Sequence, residues 1–261
     1  MAALFFDIDG TILDRDQRCL ESTVESLRRA KQKGHLLFIN TGRTACDVPK
    51  EFEEIPFDGY CCGCGTYIKY RGQILFQSTI PPVRSSEIAV YMIKHGISGA
   101  LEGTEQIYFQ REDYNKNADL VEYRKNIAQK NHGVVHTIEE PRIRYDKLMF
   151  CAEDAEDKEQ FLKFLEPDIR AIDYGTGVYE CIQKEYSKAT AIQWLQEYLE
   201  LDDEEIYVFG DGANDVDMFS YVKHTIAMGE HDKALDPMTE YVTDTVEKEG
   251  IRKALEHYKL I

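Results

Sequence analysis

The pentapeptide Asp7-Ile8-Asp9-Gly10-Thr11 constrains this chain more than any other stretch of it. It follows the apolar run Ala2-Ala3-Leu4-Phe5-Phe6. A short apolar run that is rich in aromatics and closed by turn residues predicts a buried strand. The two carboxylates then leave the strand at its carboxyl end, where open α/β sheets place their ligands. Asp7 and Asp9 stand two apart and share one side of the chain if it stays extended. Like charges so close repel unless a cation or a proton intervenes. Such a pair suits a divalent metal, a carboxylate nucleophile and a second carboxyl kept partly protonated. The plainer alternative is a strand that ends in an acidic turn.

A second apolar run, Ile206-Tyr207-Val208-Phe209, leads into Gly210-Asp211-Gly212-Ala213-Asn214-Asp215-Val216-Asp217-Met218. Again a strand delivers carboxylates to its carboxyl end. Gly210 and Gly212 permit a tight turn, and Asn214 or Asp215 opens the next helix. Between the two ends lie Leu36 to Asn40, a strand pattern followed by Thr41-Gly42-Arg43, and Lys188 at the head of the amphipathic segment Ala189 to Leu199.

Strand-Asp-x-Asp-Gly-Thr, strand-Thr-Gly-Arg, a lysine opening a helix and strand-Gly-Asp-Gly-x-Asn-Asp occur in that order. The order resembles the haloacid dehalogenase superfamily of phosphotransferases, and most of all its Cof-type phosphatases. The resemblance covers essentially the whole chain, and its first and last motifs are the specific ones. It implies an α/β fold: a Rossmann-like core with a parallel sheet flanked by helices, plus an inserted α+β cap domain.

The position of the motifs sets the organisation. A nucleophile at one end and an acidic loop beyond residue 210 must meet in one site, so the core is built from residues 1–82 and 184–261. Residues 83–183 are then an insertion, domain-sized at about 100 residues. The core expectations are a strand over 2–8, helix over 20–33, strand over 35–40, short helix over 44–53 and strand near 59–62. A hairpin follows, Thr66 to Tyr70 and Gln73 to Ser78, turned at Arg71-Gly72. Pro81-Pro82 marks a stiff boundary. Inside the insertion the pattern predicts helix from Ser85 to His95, strand from Gln106 to Gln110, helix from Ala118 to Asn131, strand from Lys147 to Ala152 and helix from Glu156 to Leu165. Ile169 to Tyr174 and Val178 to Gln183 form a hairpin around Gly175-Thr176-Gly177.

Composition bounds the function. The formal net charge of −17 over 261 residues argues against a nucleic-acid groove, which needs a basic stripe. It also disfavours anionic substrates unless a metal and local basic groups reverse the field. No stretch approaches the roughly 20 apolar residues of a membrane span, and the N-terminus lacks a signal-peptide pattern, so the expectation is a cytoplasmic protein. Of seven cysteines, Cys61-Cys62-Gly63-Cys64 are the densest. They lack a second pair to hold zinc, and reduced, buried thiols are the reading preferred over a Cys61/Cys64 redox pair.

The resemblance assigns roles residue by residue. Phosphoryl transfer needs an in-line nucleophile, charge neutralisation and a proton for the leaving group. Asp7 is the nucleophile that forms an aspartyl-phosphate. Asp9 is the general acid and then base, with a pKa raised by nearby carboxylates, and lends its backbone carbonyl to the metal. Asp7 and Asp211 are the metal carboxylates, with Asp215 as a third ligand or outer-shell partner, and hard oxygen ligands beside a phosphate favour Mg²⁺. Thr41, with Gly42, offers a hydroxyl and amides to the phosphate, Lys188 supplies a positive charge to phosphate and Asp7, and Asn214 fixes its loop. Arg43 touches substrate or cap, or makes a surface ion pair. Taken singly, Thr41 reads as a helix N-cap and Lys188 as a solvated lysine. Asp14, Asp16 and Asp217 read as solvated or capping, and Asp202 to Glu205 as an exposed turn. Cof-type proteins often carry Asn-Gly where this chain has Cys64-Gly65.

The expected activity is a Mg²⁺-dependent phosphatase for a small phosphorylated metabolite, because an inserted cap excludes a folded phosphoprotein. The alternatives are a phosphosugar mutase of the same superfamily and a silent phosphometabolite sensor. Neither the substrate nor the oligomeric state is readable.

Overall fold

Alternation along the first apolar run decides the layering around it. The computed structural model describes residues 1–111, 117–130, 133–151, 154–173, 175 and 177–261. The run forms strand β1 (Ala3–Phe6). Ala3 and Phe5 join one hydrophobic cluster, and Leu4 and Phe6 join another on the opposite face. A strand apolar on both faces needs cover on both, and helices supply it.

In chain order the elements are β1, α1 (Glu21–Gln32), β2 (Leu36–Asn40), β3 (Gly59–Cys62), β4 (Tyr67–Tyr70), β5 (Gln73–Gln77), α2 (Pro82–His95), β6 (Ser98–Glu102) and β7 (Ile107–Phe109). They continue with α3 (Ala118–Lys130), β8 (Val135–Thr137), β9 (Lys147–Cys151), α4 (Ala155–Leu165), β10 (Ile169–Asp173), β11 (Val178–Gln183) and α5 (Lys188–Leu199). The chain closes with β12 (Ile206–Gly210), α6 (Val216–Tyr221), β13 (His224–Ala227), β14 (Tyr241–Val242) and α7 (Gly250–His257).

Two compact units result. The first comprises Met1–Arg43, Val48–Gln77 and Tyr186–Ile261, the second Thr44–Asp47 and Ser78–Glu185. The first holds an eight-stranded sheet in the order β14-β13-β12-β1-β2-β3-β4-β5. Its strands run parallel from β14 to β3, and β4 and β5 add an antiparallel edge. The Arg71-Gly72 turn has φ of 46° and 83°, the left-handed values a two-residue hairpin turn requires. On one face Leu4 and Phe6 pack with Leu27 and Ala30 of α1 and Ile251, Ala254 and Leu255 of α7. On the other, Ala3 and Phe5 pack with Ala191, Ile192 and Leu195 of α5 and Met218 and Phe219 of α6. Phe6 stacks on Phe209 at 4.4 Å and Phe5 on Phe38 at 4.7 Å. Burying each such ring contributes about 2 kcal/mol. Since β1 has β12 on one side and β2 on the other, the strand order reverses at β1, and the crevice at its carboxyl end is where doubly wound sheets bind ligands.

The second unit holds a six-stranded sheet in the order β10-β11-β9-β6-β7-β8, antiparallel except for β7 and β8. Leu101, Leu148, Phe150 and Cys181 pack on one face with Ile88 and Met92 of α2 and Phe161 and Leu165 of α4. Ala100, Ile107 and Phe109 pack on the other with Ile127 of α3.

Several local expectations need correction. The helix expected over 44–53 is two 3-10 turns, Ala45–Asp47 and Lys50–Glu54. Pro49 separates them, because a proline has no amide to donate and disfavours helix in the residue before it. Helix α2 starts at Pro82 rather than Ser85, since proline suits the first helical position. Strand β1 ends at Phe6 rather than residue 8. The ends expected at Asn131, Ala152 and Tyr174, and Thr176 of the expected turn, lie outside the described residues. Among the described residues no helix is long and apolar enough to cross a membrane. No disulfide joins any of the seven cysteines, and five of them are buried.

Candidate active site

The site begins where β1 stops. The Asp7 amide donates to the Phe209 carbonyl at 3.0 Å, which continues the β1–β12 pairing past the strand and keeps Asp7 beside the Asp211 loop. The chain then turns instead of staying extended. The Ile8 carbonyl accepts from the amides of Ile12 and Leu13 at 2.9 and 2.8 Å. Gly10 makes the turn at φ 73°, and a Cβ there would lie 2.2 Å from Asp211 Oδ2, so no larger residue fits. The Thr11 hydroxyl donates to Asp211 Oδ1 at 2.9 Å.

Lys188 enters from the head of α5. Ser187 caps that helix: its hydroxyl accepts from the Thr190 amide at 3.3 Å, while Thr190 Oγ1 accepts from the Ser187 amide at 3.0 Å. Asn40, at the end of β2, donates through Nδ2 to the Lys188 carbonyl at 3.0 Å. The lysine is fully buried. Its Nζ donates to Asp7 Oδ1 at 2.7 Å, Asp215 Oδ1 at 2.6 Å and Asn214 Oδ1 at 3.1 Å. A solvated lysine is therefore excluded. Asp215 also shapes its own loop, because its Oδ2 accepts from the amides of Asp211 and Gly212, each at 2.9 Å.

Asp7, Asp211 and Asp215 each offer a carboxylate oxygen, and the three lie within 4.8 Å of one another. One ammonium faces three carboxylates, which leaves negative charge in surplus. The electrostatics register this. Burial raises the Asp7 carboxyl to about 7 against the opposing pull of Lys188, with Asp215 and Asp9 adding to the rise. Burial, then Asp7 and Asp215, raise Asp211 to about 8. Burial would lower the Lys188 ammonium, but Asp215 and Asp7 outweigh it and hold the proton on. A divalent cation among the three carboxylates would offset the surplus, and an all-oxygen donor set suits a hard cation.

Asp9 departs from expectation. Its carboxylate lies outside this cluster and receives a guanidinium fork: Arg43 Nε donates to Oδ2 at 2.7 Å and Nη2 to Oδ1 at 2.6 Å. Gln17 Nε2 donates to Oδ1 at 2.9 Å. Partial desolvation favours the neutral acid, but the hydrogen bonds and charge of Arg43, with Gln17, hold its pKa below the usual carboxylate value. The expected upward shift from nearby carboxylates is thus reversed, because the turn at Ile8 sends the side chain to Arg43. Of the alternatives for Arg43, the ion pair is the one present, and its partner is the second aspartate of the opening motif.

Thr41 is buried at the end of β2. Its amide donates to the Cys61 carbonyl at 2.9 Å, and its hydroxyl accepts from the Arg43 amide at 3.1 Å, so it closes a turn rather than capping an α-helix. Cys64 lies in a 3-10 turn, Gly63–Gly65, at φ 52°, with its amide donating to the Thr41 carbonyl at 3.1 Å. Asp14 is a buried turn anchor that accepts from the amides of Asp16 and Arg18, each at 2.9 Å. Asp16 pairs with Arg18 at 2.7 Å. Asp203–Glu205 form a 3-10 turn before β12, capped by Asp202 and exposed but for the half-buried Glu205. Thr11, Asn40, Ser187 and Gln17 were given no role from sequence. A serine with a threonine three residues on, just before an amphipathic segment, could have revealed the Ser187 cap, and Thr11 closes the opening motif; nothing local could have revealed Asn40 or Gln17.

A family model of haloacid dehalogenase-like hydrolases matches residues 4–255. The chain belongs to this family. It is 29% identical over 264 residues to YkrA of Bacillus subtilis (strain 168), a protein whose name proposes a phosphatase; the match covers 99% of this chain and 98% of that one. Among solved structures it is similar to a sugar phosphatase of HAD subclass IIB, with a TM-score of 0.85, 25% identity and complete coverage of both chains. It is also similar to a phosphatase of the superfamily from Bacteroides thetaiotaomicron, with a TM-score of 0.81 and 28% identity over 100% of this chain and 96% of that one.

Proposed function

We propose that this chain is a Mg²⁺-dependent phosphatase that hydrolyses a small phosphorylated metabolite through an aspartyl-phosphate on Asp7. The observation that carries the reading is the buried Lys188 ammonium bridging Asp7 and Asp215 at 2.7 and 2.6 Å, with Asp211 beside them. The side chains of Asp7, Asp211 and Asp215, with the backbone carbonyl of Asp9, would hold the metal. A bound Mg²⁺ would neutralise phosphate charge in the transition state.

The remaining chemistry falls to the chain. An Asp7 oxygen attacks phosphorus, the bond to the leaving oxygen breaks, and Asp9 supplies the proton that oxygen takes up. Water then attacks the aspartyl-phosphate, Asp9 receives its proton, and phosphate departs. Lys188 holds Asp7 in place and stabilises the phosphoryl oxygens. The Thr41 hydroxyl and the Gly42 backbone orient the phosphate, and Asn214 steadies Lys188. Asp9 delivers a proton only after Arg43 has let go of it, so substrate must draw the guanidinium away. Residues 83–183 contain none of these groups and are assigned the choice of substrate. A cytoplasmic enzyme fits this chemistry, since phosphometabolites and Mg²⁺ are abundant there.

Release of p-nitrophenol from p-nitrophenyl phosphate should require Mg²⁺ and stop with EDTA. A panel of phosphometabolites should be ranked differently by a chimera carrying residues 83–183 of another Cof-type phosphatase. No metal-dependent hydrolysis by the parent would sink the reading. Activity that depends on a bisphosphorylated sugar would favour a mutase.

A further inference from the structure

We propose that Gln17 is a positioning residue that keeps the Asp9 carboxylate aimed, both within the grip of Arg43 and after Arg43 has left it. The inference rests on the acid–base role proposed above for Asp9. Gln17 Nε2 donates to Asp9 Oδ1 at 2.9 Å, and Gln17 Oε1 accepts from Arg43 Nη2. Arg43 in turn grips both oxygens of Asp9. One side-chain amide thus closes a three-membered ring, turning its donor to the anion and its acceptor to the cation. A glutamate has no donor for Asp9, and a lysine has no acceptor for Arg43.

The backbone gives an independent sign. Gln17 sits at φ 61°, a left-handed conformation that side chains with a Cβ disfavour and that glycine adopts freely. The turn around it is built by other groups. Asp14 Oδ1 takes the amides of Asp16 and Arg18, and the Asp14 carbonyl takes the Gln17 amide at 2.9 Å. Glycine at position 17 would serve that turn as well or better. The glutamine side chain therefore answers to its contacts and not to the loop. The side chain of Asp9 is 48% exposed, so packing alone does not hold it. When substrate draws Arg43 away, the Gln17 bond keeps the carboxylate aimed.

The test is Gln17→Gly in the intact chain, alone and combined with Asp9→Asn. Thermal unfolding should be unchanged or shifted upward, because glycine relieves the left-handed backbone. At the same time kcat for p-nitrophenyl phosphate should fall about 10- to 100-fold, the scale of a misplaced catalytic group. In the Asp9→Asn background the same change should cost less than about twofold, since the group being positioned is already gone. A crystal structure of Gln17→Gly should show the Asp9 carboxylate rotated away from its wild-type aim. Wild-type kcat with an unrotated carboxylate would overturn the proposal, as would an equal loss of kcat in the Asp9→Asn background. If the wild type hydrolyses no phosphate ester, the phosphatase reading fails by itself, and the Asp9 carboxylate in the variant crystal still decides the role of Gln17.

Discussion

Each unit of the molecule buries a lysine among carboxylates, and the two clusters are built differently. In the first unit Lys188 meets Asp7 and Asp215, with Asp211 adjoining, on loops at the carboxyl ends of β1 and β12. In the second unit Lys147 pairs with Glu102 at 2.9 Å and with Glu180. These three stand within the sheet: Glu102 on β6 is directly opposite Lys147 on β9, and Glu180 on β11 shares their face. The Tyr123 hydroxyl donates to Glu102 Oε1 at 2.7 Å. The first cluster has three carboxylates to one ammonium, the second two, one of which takes a neutral donor. A cluster inside a sheet has fixed backbone and near-balanced charge, which suits structure. A cluster on loops with surplus charge leaves room for a cation and a reacting group. Burial of charge alone does not mark a catalytic centre; imbalance at strand ends does.

The largest expected effect breaks the first cluster. Asp7→Asn keeps the volume but removes the proposed nucleophile, so turnover should fall by at least about 10³-fold with the fold retained, checked by kcat and circular dichroism. Retention of a tenth of the activity would reassign the nucleophile. In the second cluster the effect should appear in stability. Lys147→Met leaves two buried carboxylates facing each other and should cost about 3–5 kcal/mol in urea unfolding. Replacing Glu102, Lys147 and Glu180 together with apolar residues of similar volume should restore most of that. A loss that persists in the triple variant would mean the cluster does more than balance its own charge.

A smaller effect concerns Asp146, beside Lys147. Its Oδ2 accepts from the Thr104 hydroxyl at 2.7 Å, and its Oδ1 has no hydrogen-bond partner among the described residues. Burial raises its pKa to about 7, against the pull of the Thr104 bond. The folded chain therefore holds this proton more tightly than the unfolded chain does. The stability so gained is complete below the unfolded value of about 4 and is lost as pH rises through about 7. Urea unfolding of the wild type should weaken over that window relative to Asp146→Asn, whose amide does not titrate. Parallel pH profiles would place the titration elsewhere.

How much of this was legible in the sequence follows from how local each signal is. β1, β2 and β12 are short apolar runs that end in motif residues, so both the strands and the groups they deliver could be read. β6, Ser98–Glu102, was missed although wholly buried, because its serine, glycine and alanine carry little strand preference. β13, His224–Ala227, was also missed, being a four-residue strand that opens on histidine and threonine. α7 was overlooked despite buried Ile251, Ala254 and Leu255 at helical spacing. Within the site, Asp7, Lys188, Asp211 and Asp215 are brought together from opposite ends of the chain, as motif order requires. The state of Asp9 was misjudged because its partner, Arg43, is 34 residues away and nothing in either motif announces the pairing. Gln17 was invisible for the same reason.

Surplus negative charge is proposed to make the first cluster a divalent-cation site, and the second to be complete without one. Calorimetric titration of Mg²⁺ into the wild type, Asp211→Ala and Glu180→Ala tests it most directly. One saturable heat is expected in the wild type, kept in Glu180→Ala and weakened at least about tenfold in Asp211→Ala, which loses a proposed hard oxygen ligand. Equal Mg²⁺ affinity in the wild type and Asp211→Ala, or loss of binding in Glu180→Ala, would contradict it.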